Sequence, residues 1–125
     1  MIPVIIIAGS KSDEKFVSMI AEGLDGEVVI HFASAHREPD RVLEIIRTAD
    51  KAIFITVAGR SNALSGMVAA NTDSVVIACP AHKDLIEYMV DIHSTMRMPS
   101  KTPVLTILDP GNCALAVKRI KALMS

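Results

Sequence analysis

Val4-Ile5-Ile6-Ile7 is an unbroken row of β-branched residues that runs into Ala8-Gly9-Ser10, and it constrains the fold more than any other feature. A strand with one wet face alternates apolar and polar residues. A strand without alternation needs cover on both faces, which is the condition of a parallel sheet between two helical layers. Glu27 to Ala33, Ala52 to Ala58, Val75 to Ala78 and Val104 to Leu108 read the same way. Helical patterns separate these runs. Phe16, Met19, Ile20 and Leu24 fall on one face, as do Val42, Ile45, Ile46 and Ala49, and later Val117, Ile120 and Met124. Ala63 to Asn71 is short and rich in small residues, as suits a tightly packed helix. Pro39 fits the first turn of the second helix, and a fourth helix runs from Asp84, its expected N-cap, to about Met96.

Five β/α units in 125 residues make one α/β domain, residues 1–125, with no linker or internal repeat. The expected architecture is a three-layer, doubly wound, flavodoxin-like fold with a parallel five-stranded sheet in the order 2-1-3-4-5. In such sheets ligands sit beyond the carboxyl ends of the strands, where the winding reverses. That places a pocket at the ends of strands one, two and three.

Composition narrows the partners. Half of the residues are apolar but only three Phe and one Tyr are aromatic, so the core is aliphatic. With 22% charged residues, some apolar surface is expected to remain after folding, and it reads as a subunit interface. A net charge of −1 with scattered Lys and Arg gives no nucleic-acid surface. The apolar stretch from Pro3 to Ala8 is too short to span a bilayer, and it lacks the basic flank and cleavage site of a signal peptide. Cys79 and Cys113 form no CxxC or disulfide framework and read as buried thiols of a cytoplasmic protein.

Polar clusters follow the first three strands. Gly9-Ser10-Lys11-Ser12-Asp13 opens a helix, where free N–H groups and hydroxyls suit a phosphate or carboxylate; ordinary capping by Ser12 or Asp13 explains the same residues. It is neither a P-loop nor a GxGxxG. In Ser34-Ala35-His36-Arg37, the guanidinium can grip phosphate and the imidazole can carry a proton, although a lone strand-end His is also a common structural feature. Gly59-Arg60-Ser61-Asn62, followed by Ala63-Leu64-Ser65-Gly66, offers donors for a carboxylate or CO2; tight helix–sheet packing accounts for Ala63 and Gly66 but poorly for Arg60 with Asn62. His31 reads as structural, and His82 and His93 bracket a helix without completing a metal-ligand set. Neither a metal nor an organic cofactor is expected.

GSKSD, SAHREP and AGRSNALSGMVAANT, in this order, resemble the aminoimidazole ribonucleotide (AIR) carboxylase family of purine biosynthesis, often called PurE, from Ile5 to about Ile120. The family has one branch that carboxylates C4 of AIR directly with CO2 and one that moves a carboxylate from N5 to C4. The second branch usually carries a stretch like AGGAAHLPG after strand three. The stretch from Ala58 to Gly66, with Ser94-Thr95-Met96-Arg97-Met98-Pro99-Ser100, is similar to the direct branch. Arg37 is similar to the mutases, since direct carboxylases often carry Lys there.

The resemblance implies that Ser10, Ser12 and Arg37 bind the 5′-phosphate, with Gly9, Ser34 and Ala35 beside them, and Asp13 the ribose. It implies that His36 handles the C4 proton, that Gly59, Arg60, Ser61 and Asn62 line the reacting end, and that Met98 and Pro99 help close the pocket. It implies AIR and CO2 as substrates and a homo-oligomer, an octamer in the family. The chain stops at Ser125, where many members carry a further helix. A phosphorylatable receiver fails, since strands one and three lack the acidic residues it needs; a non-catalytic nucleotide-binding relative is opposed by the intact His36 and Arg37.

Overall fold

The computed structural model describes residues 2–82 and 84–124. Val4–Ala8 (β1), Val28–Phe32 (β2), Ile53–Val57 (β3), Val75–Ala78 (β4) and Leu105–Thr106 (β5) form one parallel sheet in the order β2-β1-β3-β4-β5. The helices are Glu14–Ala21 (α1), Pro39–Thr48 (α2), Leu64–Ala70 (α3), Leu85–Met96 (α4) and Pro110–Leu123 (α5), with a 3-10 turn at Lys11–Asp13 before α1. The doubly wound architecture and strand order are those expected from the pattern of apolar runs.

Every residue of β1 and β3 is buried, which is why neither alternates. The register stacks Ile30, Ile6, Ile55 and Ile77 across four strands. Val4, Ile6, Ile53 and Ile55 pack with Val17 and Ile20 of α1 and Cys113 and Val117 of α5. Ile5, Ile7 and Phe54 point the other way, against Val42, Ile45 and Ile46 of α2 and Leu64 and Val68 of α3. Alternate residues of one apolar run thus feed two separate cores.

Three sequence expectations need correction. Met19 is half exposed, because the buried face of α1 centres on Val17 and Ile20 and Met19 lies about a third of a turn away. Met124 lies just past α5 and is half exposed; Val117 and Ile120 carry that face. The run from Val104 to Leu108 gives only two strand residues, since it forms the sheet edge with Leu105 and Leu108 outward, although Ile107 N–H still donates to Ala78 O at 2.9 Å.

Capping follows the sequence. Pro39 occupies the first turn of α2, and the Asp84 carboxylate accepts from Glu87 N–H at 2.8 Å. Cys79 and Cys113 are fully buried and adjacent, and Cys113 together with burial pushes the Cys79 thiol up, so it stays protonated. No helix among the described residues is long and apolar enough to cross a membrane.

His31 on β2 gives the fold a pH dependence. Burial, and then the neighbouring Arg41 guanidinium, holds its titration below the ordinary value of 6.5. The unfolded chain therefore takes up this proton first as the pH falls. Stability is lost on descent through 6.5 towards the lower folded value, and above 6.5 the group contributes nothing. His31→Gln is expected to flatten the acid side of a stability profile measured by urea unfolding between about pH 7.5 and about pH 5.

Candidate active site

The carboxyl ends of β1, β2 and β3 open into a single cavity of about 820 Å³. Gly9, Ser10, Ser12 and Asp13 line it from the first loop, Ser34 to Arg37 from the second, and Ala58 to Ser61 from the third. Gly9 N–H donates to Val57 O at 2.9 Å and Ala33 N–H to Ala8 O at 2.9 Å, so the sheet continues to the rim and fixes the three exits side by side. The expected switch-point pocket is where the topology puts it.

In the first loop the side-chain capping bond is made by Ser10, at the 3-10 turn, while Asp13 holds the N-cap position of α1 without a side-chain capping bond. Ser10 Oγ accepts from Ser12 N–H at 3.2 Å and lies 2.8 Å from Ser12 Oγ. The two hydroxyls are paired at the cavity wall, so one proton lies between them and the other is left to donate to an anion.

In the second loop Ser34 is buried, and its Oγ accepts from Arg37 N–H at 3.2 Å, while Glu38 N–H donates to Ser34 O at 2.8 Å. Ser34 thus shapes the turn that pushes His36 and Arg37 outward, both exposed. His36 Nε2 lies 3.3 Å from Ser61 O, joining the second loop to the third. A carbonyl oxygen only accepts, so this contact assigns the proton to Nε2 and leaves the Nδ1 lone pair free as a base.

The third loop makes its turn at Arg60, with φ 56°. That left-handed conformation costs a non-glycine residue about 1–2 kcal/mol. It is held from α4: Arg60 N–H donates to Asp91 Oδ2 at 3.0 Å, and Ser94 Oγ donates to Arg60 O at 3.1 Å. Gly59 has a separate reason to be glycine, since a Cβ there would lie 3.0 Å from Ala81 O.

Two groups of expected site residues lie off the cavity. Asn62 is 6% exposed and turned inward: its Oδ1 accepts from Ser65 N–H at 3.2 Å, and its Nδ2 donates to Ser65 Oγ and Thr95 Oγ1. It braces the loop instead of facing a ligand. Met98 and Pro99 are outside the cavity lining, with the Met98 sulfur lying against Gly66 of α3.

Other lining residues were not assigned to a site from the sequence. Lys15, Phe16 and Met19 come from α1, Leu64 from α3, and Ala81, His82 and Glu87 from the stretch after β4. His82 packs edge-on to Phe16 at 6.2 Å and against Tyr88 at 4.7 Å. The signal for it was topological: β4 lies beside β3, so its exit reaches the same rim. Lys15, Arg37 and Arg60 outnumber Asp13 and Glu87 on the lining, which favours an anionic ligand. Among the described residues no cluster of three His, Cys, Asp or Glu is placed to hold a metal ion.

Comparison with known proteins agrees with this geometry. Residues 3–125 match the family described as AIR carboxylase. A phosphoribosylaminoimidazole carboxylase of Archaeoglobus fulgidus is 48% identical over 95% of this chain and 68% of its own length. An N5-carboxyaminoimidazole ribonucleotide mutase of Methanocaldococcus jannaschii is 39% identical over 94% of this chain and 78% of its own. The crystal structure of Treponema denticola PurE superposes with a TM-score of 0.93 at 37% identity, covering 100% of this chain and 83% of that one. Three convergent loops, a doubly wound sheet and end-to-end sequence similarity lead to one assignment: the chain belongs to the AIR carboxylase family.

Proposed function

We propose that the chain, as one catalytic domain, carboxylates C4 of AIR directly with CO2 to give 4-carboxy-AIR in de novo purine biosynthesis. Family membership makes it an enzyme of that pathway that forms this product. The observation that supports C4 carboxylation in this cavity, by either branch, is the junction of the second and third loops, where His36 sits on Ser61 O with the Ser10–Ser12 hydroxyl pair on the same cavity.

In this reading the Ser10 and Ser12 hydroxyls and the Arg37 guanidinium take the 5′-phosphate and Asp13 the ribose. Gly59, Arg60 and Ser61 border the space for CO2. The aminoimidazole is an enamine, so C4 itself attacks the CO2 carbon and forms the C–C bond as one C=O π bond becomes a carboxylate. His36 Nδ1 then takes the C4 proton, and the electron pair of that C–H bond restores the aromatic ring. The protein needs only to hold the partners together, exclude water and remove one proton.

The stretch from Ala58 to Gly66 and the higher identity to the Archaeoglobus carboxylase support the CO2-using branch. Arg37 favours the second reading, N5-carboxyaminoimidazole ribonucleotide mutase. One assay separates them: AIR with bicarbonate and no ATP. Product from AIR that rises with CO2 is expected; turnover of the N5-carboxylated substrate alone would establish the mutase.

The enzyme is further proposed to act in the cytoplasm as a homo-oligomer. Leu85, Ile86, Met89 and Val90 leave an apolar face of α4 open in the single chain, with Ile86 78% exposed. A second copy is the proposed cover. Ile86→Glu is expected to lower the mass measured by light scattering by at least one assembly step; an unchanged mass would clear this face of the role.

A further inference from the structure

The face of α4 opposite its apolar side carries Asp91, Ser94 and Thr95, and all three grip the third loop. The grip is on backbone at two successive points. Asp91 Oδ2 accepts from Arg60 N–H at 3.0 Å, and Ser94 Oγ accepts from Asn62 N–H at 2.8 Å. The Ser94 hydroxyl proton faces two carbonyls, Arg60 O at 3.1 Å and Asp91 O at 2.8 Å. The peptides on both sides of Ser61 are therefore fixed to α4, and the carbonyl of the second, Ser61 O, is the group that meets His36 Nε2.

We propose that Asp91 and Ser94 are positioning residues that set the proton and the orientation of His36 through the Arg60–Ser61–Asn62 backbone. Neither lines the cavity, so neither touches a ligand there. Their effect passes through a left-handed turn at Arg60 that the free chain disfavours and that the two side chains hold at both its N–H and its carbonyl. With the grip released, the turn relaxes, Ser61 O moves off Nε2, and the ring is free to carry its neutral-state proton on either nitrogen. This deepens the proposed function, resting on His36 as the base.

The test uses the whole protein labelled with 15N-histidine, comparing wild type with Asp91→Ala, Asp91→Asn and Ser94→Ala. Long-range 1H–15N correlation reports which His36 nitrogen is protonated, and steady-state kinetics are run in parallel. Wild type is expected to show the Nε2–H form alone. Asp91→Ala and Ser94→Ala are expected to show a mixture of both forms. Their kcat should fall about 10- to 100-fold with KM for AIR within about threefold, the cost of a small misplacement near the chemistry. Asp91→Asn keeps an oxygen acceptor for Arg60 N–H and is expected to restore most of both signals.

Folded variants with His36 unchanged overturn the proposal, whether or not kcat falls, because a loss by another route is then responsible. A shifted His36 with unchanged kcat supports the grip and refutes His36 as the base, so the two failures are distinct. If Asp91→Ala does not fold, the comparison of Ser94→Ala with Asp91→Asn decides the matter alone.

Discussion

His36→Asn is expected to lower kcat for carboxylation by about 10²- to 10⁴-fold while KM for AIR stays within about threefold, the range for loss of a positioned general base. The split follows from where the residue sits. Of the proposed phosphate partners, Ser10 and Ser12 come from the first loop and Arg37 follows His36 in the second, and the substitution alters none of these side chains. Asn is shorter than His and its amide has no lone pair that titrates near neutrality, so the C4 proton has no acceptor. The side chain is exposed, so the fold does not depend on it, and unfolding curves of variant and wild type are expected to coincide. Near-normal kcat would remove His36 from the proton step.

Asn62→Ala is expected to be the most damaging of these changes for stability, costing about 2–4 kcal/mol, because it strands buried polar atoms in place of removing them cleanly. Ser65 N–H and the hydroxyls of Ser65 and Thr95 all lose a partner, and Ser65 and Thr95 are 0% and 1% exposed. Against a typical domain stability of about 5–15 kcal/mol this is a large fraction. The urea midpoint should fall markedly at an unchanged m-value. Activity should fall as well, since the same amide ties the third loop to α3 and α4. An unchanged midpoint would mean that the loop is held without Asn62.

Much of the fold was legible because burial on both faces leaves a direct mark on sequence: β1 and β3 contain no alternation and no charged residue. The first three strand exits were legible for the same reason, as those apolar runs each end abruptly in a polar cluster. Helix faces were harder to read. The four apolar residues read as one face, three of them in α1 and Leu24 beyond its end, included Met19 and left out Val17, and only the sheet decides which arc of an eight-residue helix turns inward. Asn62 looked like a ligand contact because a polar residue in a glycine-containing loop has the same signature whether it faces the cavity or the partner helix. Its direction depends on Thr95, 33 residues later. His82 was read only as bracketing a helix, because nothing local marks it as a pocket residue; its place at the rim comes from β4 lying beside β3.

Three loop ends are proposed to act as one binding surface, and a crystal structure of the protein with AIR bound measures that directly. The phosphate is expected within hydrogen-bonding distance of the Ser10 and Ser12 hydroxyls and the Arg37 guanidinium, with C4 facing Nδ1 of His36. A ligand seated elsewhere on the molecule, or a His36 ring turned away from both Ser61 O and the imidazole, would contradict it.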